Sequence, residues 1–271
     1  MMRLGITVPL DGFQNTHFAE LVQHAERVGF TDAWSYETFH GDAFVPVAAA
    51  AVVSEKLRLG TAIVPVFTRP AALIAISSAT VQRISGGRFI LGVGISTPTI
   101  VEQWMGVPYK MPVTRLRETV EALRLLWTQP EAGYEGELVH FAPLRCDPKP
   151  IQKNGPPILL GAHGPKGRER VVRSYDGWCP VGGKPADFKR EVAELRALAK
   201  ERGRNPDTLQ IMAFVPPRED GLSLDDLKAY NEAGAARLVL FSQRDAIKMA
   251  NGQALDVIRR IAPTVERATH L

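Results

Sequence analysis

Short continuous apolar runs alternate along this chain with stretches whose apolar residues recur every three or four positions. Runs of the first kind predict buried strands. They are RLGITVP (3–9), TDAWSY (31–36), LRLGTAIVPV (57–66), RFILGVG (88–94), PPILLGA (156–162), GWCPV (177–181), LQIMAFV (209–215) and ARLVLF (236–241). The intervening stretches predict amphipathic helices. In 17–30, Phe18, Leu21, Val22 and Ala25 share one face and Gly29 suits the C-terminal end. The helix 70–85 begins with Pro70, whose missing N–H is harmless there. In 113–127, Leu116, Val120, Leu123 and Trp127 form the apolar stripe. Further helices are read over 45–56, 165–175, 187–203, 223–234 with Ser223 as N-cap, and 245–268.

Eight strand–helix units in about 250 residues predict an α/β fold, a TIM (β/α)8 barrel with inserted segments, in preference to an open doubly wound sheet. No linker composition interrupts the pattern, so 1–271 reads as one domain. The rhythm breaks at 129–155, rich in Gly and Pro with a short alternating piece at 137–144, which reads as an irregular excursion from the core.

Composition narrows the classes. No apolar run reaches the ~18 residues of a membrane span, and the N-terminus lacks the features of a secretory signal. Cys146 and Cys179 have no metal-like spacing and are expected as free thiols in a reducing, cytoplasmic setting. The net charge of +4 is dispersed, which suits an anionic ligand better than nucleic acid. No metal motif or nucleophile elbow occurs.

Three strand exits carry candidate chemistry. Gly92-Val93-Gly94 is not a dinucleotide fingerprint: Thr97 stands where the third glycine belongs, and the segment follows the fourth strand, not the first. Gly94 either permits a tight turn or lets a flat ligand approach the backbone at the barrel mouth. At 161–170, Gly161 and Gly164-Pro165 lead into a helix whose start carries Lys166, Arg168 and Arg170, a candidate phosphate site. The strand-two exit holds Glu37, Thr38, His40 and Asp42, with Glu37 and His40 the candidate acid/base groups. His17 and His24 read as structural, and His140 has no evident partner.

The blocks LRLGT…SGGRF…LGVGIS (57–96), 101–127 and PPILLGAHGPKGRERVVRSYDGW (156–178) resemble the luciferase-like monooxygenase superfamily, within it the coenzyme F420-dependent oxidoreductase branch. The resemblance spans nearly the whole chain. It implies a deazaflavin ring across the barrel mouth, over a non-proline cis peptide at Ala62-Ile63. Gly94, Ile95, Ser96 and Thr97 would line the ring and tail. Gly161, Ala162, His163, Gly164, Pro165 and Lys166 would hold the cofactor phosphate, and Thr38 would lie at the same site. A small-molecule substrate is implied, and homodimers are common in the family.

One departure stands out. Several deazaflavin enzymes carry an Asp-His pair after strand two, where this chain has Glu37-Thr38 and a histidine only at His40. The expectation is therefore an F420-dependent oxidoreductase of unknown substrate. The rivals are a reduced-FMN monooxygenase served by a separate reductase and a non-catalytic cofactor-binding protein. A phosphate-binding barrel isomerase or aldolase is disfavoured, because no lysine ends a strand.

Overall fold

The computed structural model describes residues 3–8, 15–38, 41–215, 223–240 and 262–265. Eight parallel strands close on themselves: β1 (Arg3–Thr7), β2 (Asp32–Ser35), β3 (Arg58–Thr61), β5 (Phe89–Gly94), β8 (Ile158–Leu160), β9 (Gly177–Trp178), β10 (Gln210–Val215) and β11 (Arg237–Leu240). Their order around the ring is β3-β2-β1-β11-β10-β9-β8-β5, and β3 pairs back onto β5 through Leu59 and Phe89. The helices α1 (Asn15–Arg27), α2 (Phe44–Val53), α3 (Ala71–Ile84), α4 (Pro112–Thr128), α5 (Gly164–Ser174), α6 (Pro185–Glu201) and α7 (Leu224–Glu232) follow successive strands. This is the TIM barrel that the alternation predicts. The last predicted helix, 245–268, falls outside the described residues except for a helical piece at 262–265. No helix among the described residues is long and apolar enough to cross a membrane.

Two segments differ from the pattern. The predicted strand 57–66 is interrupted: β3 ends at Thr61, the Ala62–Ile63 peptide is cis, and β4 (Val64–Pro65) then pairs only with β5. The excursion contains an antiparallel hairpin of β6 (Ala132–Glu135) and β7 (His140–Leu144). Residues 137–139 are not strand, although they alternate, because the Glu118 carboxylate of α4 takes their N–H groups. Glu137, Leu138 and Val139 donate to it at 3.0, 2.8 and 3.0 Å.

The barrel interior is a separate apolar cluster that includes Trp34, Ile90, Leu159, Met212, Phe214 and Val239. Trp34 meets Phe214 edge-on with ring centroids 6.1 Å apart. A β-carbon on Gly60 would collide with the Trp34 ring, so glycine there is what lets the indole lie across the barrel. Near the opposite strand ends, buried Arg237 of β11 donates to Asp32 of β2 at 2.8 Å and to Gln210 Oε1 at 3.1 Å. Burial pulls the Arg237 guanidinium below its ordinary value, and Asp32 opposes that pull.

The SGGRF turn is explained by Arg88. Its guanidinium donates to the carbonyls of Leu57 (2.5 Å), Ser54 (2.9 Å) and Ala51 (3.2 Å) and to Ser54 Oγ at 3.2 Å. It thereby satisfies the open C-terminal end of α2, a favourable place for a cation. Gly86 and Gly87, at φ 61° and 87°, carry the chain round to it.

Candidate active site

A cavity of about 430 Å3 opens at the C-terminal ends of the barrel strands, the end where TIM barrels hold their chemistry. Its walls come from Ile63, Leu160, Cys179 and Val181, from Ile95–Thr97 after β5, from Gly161–His163 after β8, and from Val113 and Leu116 of α4 and Arg170 of α5. The apolar floor is built by close approach. Ile63 Cγ2 lies 2.7 Å from where a β-carbon on Gly161 would sit, and Ile63 Cδ1 lies 3.0 Å from that of Gly94. A β-carbon on Gly92 would strike the Thr61 carbonyl oxygen. Instead Thr61 Oγ1 is held against Gly92, donating to its carbonyl at 3.1 Å and accepting its N–H at 3.0 Å.

The cis peptide is tied to the strand-two exit on both sides. The Ala62 N–H donates to the Ser35 carbonyl at 2.7 Å, and the Glu37 N–H donates to the Ile63 carbonyl at 3.2 Å. Ser96 adopts a left-handed φ of 58°, sparsely populated for a residue with a β-carbon. The Tyr109 hydroxyl donates to its carbonyl at 3.4 Å, and the Tyr109 ring stacks on Phe67 at 4.8 Å. At the other wall, Trp178 Nε1 donates to the Ala162 carbonyl at 2.9 Å.

Not every predicted residue meets the cavity. Ile63, Ile95, Ser96, Thr97, Gly161, Ala162 and His163 line it, whereas Ala62, Gly94, Gly164, Pro165 and Lys166 stand behind or beside it. Glu37 is buried away from the lining. It accepts from Arg69 Nε at 2.7 Å and from the Thr68 hydroxyl, and Arg69 also grips Asp42. Burial works against ionisation of Asp42, but the N–H groups of Val45 and Phe44 and the Arg69 guanidinium outweigh it and hold its carboxyl below the usual range. Burial likewise opposes the charge on Arg69, yet Glu37 and Asp42 raise its pKa. Thr38 pairs with Gly41 in a tight backbone bridge. His40 lies outside the described residues.

The basic residues of α5 divide in a way their spacing permits. Successive residues turn by about 100°, so Arg168 faces away from Arg170. Arg168 is buried against α6, paired with Glu194 and, at 3.5 Å, with Glu191. Only Arg170 reaches the cavity, and Lys166 is exposed outside it. The expectation that Arg168 adds to an anion site is therefore corrected. His163 precedes α5 with extended backbone and makes no side-chain cap hydrogen bond, so the first turn keeps the open N–H character that suits an anion.

Sequence reasoning missed Leu160, Cys179, Val181, Val113 and Leu116 as wall residues. Cys179 and Val181 fall at the exit of β9, a position that strand counting could have flagged. Val113 and Leu116 were legible only as part of a helix stripe. Burial pushes the Cys179 thiol pKa up strongly, so the group is a neutral, apolar wall atom at neutral pH. None of the described lining residues is acidic, and no cluster able to hold a metal occurs among the described residues.

The fold and this mouth cavity define a barrel built to present a loop-lined apolar pocket with a cationic edge. The model for luciferase-like monooxygenases matches residues 2–218, and the chain belongs to that family. A Mycobacterium tuberculosis protein that carries a provisional coenzyme F420-dependent oxidoreductase name is 32% identical over 192 residues, covering 66% of this chain. The match spans only 55% of that relative's length. An uncharacterized protein of the same organism is 36% identical over 223 residues, 73% of this chain and 76% of the relative. Among solved structures, the coenzyme F420 dependent tetrahydromethanopterin reductase of Methanopyrus kandleri superposes with a TM-score of 0.78 at 21% identity, covering 97% of this chain and 99% of that one. At that identity the likeness concerns the fold.

Proposed function

We propose that this chain is an F420-dependent oxidoreductase that exchanges hydride between a deazaflavin ring and a small organic substrate. The observation that carries the reading is the cavity itself: an apolar floor around Ile63 at one side, the start of α5 with Arg170 at the other. That division suits a flat ring joined to an anionic tail. The provisional name of the M. tuberculosis relative supports the same cofactor.

When bound, the deazaflavin supplies the hydride-exchanging carbon. The chain supplies position and a dry pocket. Ile63, given room by Gly94 and Gly161, forms the shelf beneath a ring, and Ala62 anchors it through its N–H to Ser35. Ile95, Ser96 and Thr97 border the ring. Ala162 and His163 lead into α5, the N–H groups of Gly164 and Lys166 in its first turn are presented to a phosphate, Pro165 holds that turn without an N–H of its own, and Arg170 adds a permanent charge. Glu37 is a positioning residue in this reading, because its carboxylate is committed to Arg69 and Thr68 while its N–H fixes Ile63. Thr38 keeps the exit loop closed. Proton transfer then falls to His40, and His40→Asn lowers kcat about a hundredfold with cofactor affinity unchanged.

The working form is a cytoplasmic homodimer. Cys146 and Cys179 are both free and buried. α2 and α3 lie side by side and expose Val45 (56%), Val52 (74%), Leu73 (45%) and Ile76 (41%), an apolar face that a second copy would cover.

Side-by-side fluorescence and absorbance titrations with F420 and FMN test the cofactor. Saturable F420 binding with weak or no FMN binding supports the reading. Tight FMN binding without F420 binding overturns it in favour of a reduced-FMN monooxygenase.

A further inference from the structure

A second cavity, about 280 Å3, lies on the other side of α4. It shares no lining residue with the mouth cavity: Val113 and Leu116 face that one, while Arg115 and Thr119 face this one. Its body is apolar, walled by Phe67 and Ala72 on one side and by Leu138, Val139 and Phe141 of the hairpin on the other. Among the described residues no acidic one lines it, and its charged or titratable members there are Arg69, Arg115 and His140.

The two arginines are not equivalent. Arg69 is satisfied by Glu37 and Asp42. Arg115 makes no ion pair among the described residues. Its guanidinium lies 5.1 Å from the Phe67 ring centroid, and its Nε is buried without a hydrogen-bond partner. Buried polar atoms are nearly always partnered, so the Nε of this half-buried side chain is an exception. A cation without a counter-ion among the described residues, at the edge of an apolar pocket outside the proposed active site, suits an amphipathic anion.

We propose that this pocket binds a small monocarboxylate with an apolar body. The carboxylate pairs with Arg115, and the hydrocarbon lies between Phe67 and the Val139–Phe141 face of the hairpin. Arg–carboxylate pairing is strong because both partners are charged and planar. A monoanion is preferred to a dianion on charge. The adjoining Glu37–Arg69–Asp42 cluster carries a net charge of about minus one at neutral pH, so a second carboxylate would meet repulsion. The ligand is small because the cavity falls just below the ~300–1,000 Å3 of ordinary ligand pockets. The inference does not depend on which cofactor fills the mouth cavity.

Isothermal calorimetry on the full chain tests it, with hexanoate, adipate and 1-hexanol as probes. Hexanoate binds saturably at one per chain, and adipate and hexanol bind at least tenfold more weakly. Arg115→Gln weakens hexanoate at least tenfold, and Ala72→Phe, which fills the pocket, abolishes binding. Lys200→Gln, a surface charge on α6, and Arg170→Gln, in the mouth cavity, leave it unchanged. Circular dichroism confirms that each variant folds; if Arg115→Gln does not, Ala72→Phe decides. The proposal is overturned if the wild type binds no hexanoate, if folded Arg115→Gln or Ala72→Phe binds as well as wild type, or if the loss follows Arg170→Gln.

Discussion

Ile63 occupies the space that a side chain on Gly161 would need, its Cγ2 only 2.7 Å from the position of the missing β-carbon. The two residues come from strand exits far apart in sequence and meet only because the barrel closes through β5 and β8. The glycine therefore serves the shelf: without it, Ile63 would be pushed out into the cavity.

Gly161→Ala consequently shifts Ile63, and overpacking of this kind costs about 1–3 kcal/mol. Cofactor affinity falls with it, read by fluorescence titration. Gly92→Ala is worse, because the obstacle there is the Thr61 carbonyl, a backbone atom that cannot rotate aside. Thermal melts are expected to rank wild type above Gly161→Ala and Gly161→Ala above Gly92→Ala.

Arg170 and Lys166 separate by location. Arg170→Gln removes the one permanent cation that lines the mouth cavity among the described residues and is expected to weaken an anionic cofactor about tenfold, ~1.4 kcal/mol. Lys166→Gln changes an exposed side chain outside the cavity and is expected to change affinity less than threefold. Titrations at two salt concentrations check both, since the exposed charge is the more screened.

Much of this was legible in the chain. Continuous apolar runs indicate a parallel sheet, because both faces of each strand must be apolar, and the count of eight strand–helix units points to the barrel. The C-terminal strand ends then locate the mouth at Gly94 and Gly161, and the family resemblance adds Ile95–Thr97 and Ala162–His163. What pattern could not supply were partnerships made across the fold. Glu37 reads as an acid/base candidate until Arg69 is seen to hold it. Arg168 reads as an anion ligand until Glu191 and Glu194 are seen behind it. Arg115 is next to Leu116 in α4, and only packing shows that the two face separate cavities.

The hairpin hangs on Glu118, a buried carboxylate. Burial works against its charge, but the N–H groups of Leu138, Glu137 and Val139 and the Arg117 guanidinium outweigh it and depress its pKa. A depressed carboxyl contributes stability that is present above its unfolded value near ~4.3 and is lost as pH falls through the folded value. Melting temperature is thus expected to drop as pH falls below about 4.3, and less steeply in Glu118→Gln. At neutral pH Glu118→Ala costs about 2–4 kcal/mol, since three backbone donors lose a charged acceptor.

The exposed α2–α3 face gives a separate outcome. Val52→Lys combined with Leu73→Lys places charge on the proposed contact while touching neither cavity. Light scattering is expected to show a dimer for wild type and a monomer for the double variant. A monomeric wild type would remove the homodimer from the account.

The most direct test of the central claim is a crystal structure of the protein with F420 bound. The account predicts the deazaflavin ring stacked over Ile63 beside Ser96 and Thr97, with the phosphate at the first turn of α5 and near Arg170. A ring seated elsewhere, or a phosphate away from α5, would contradict it.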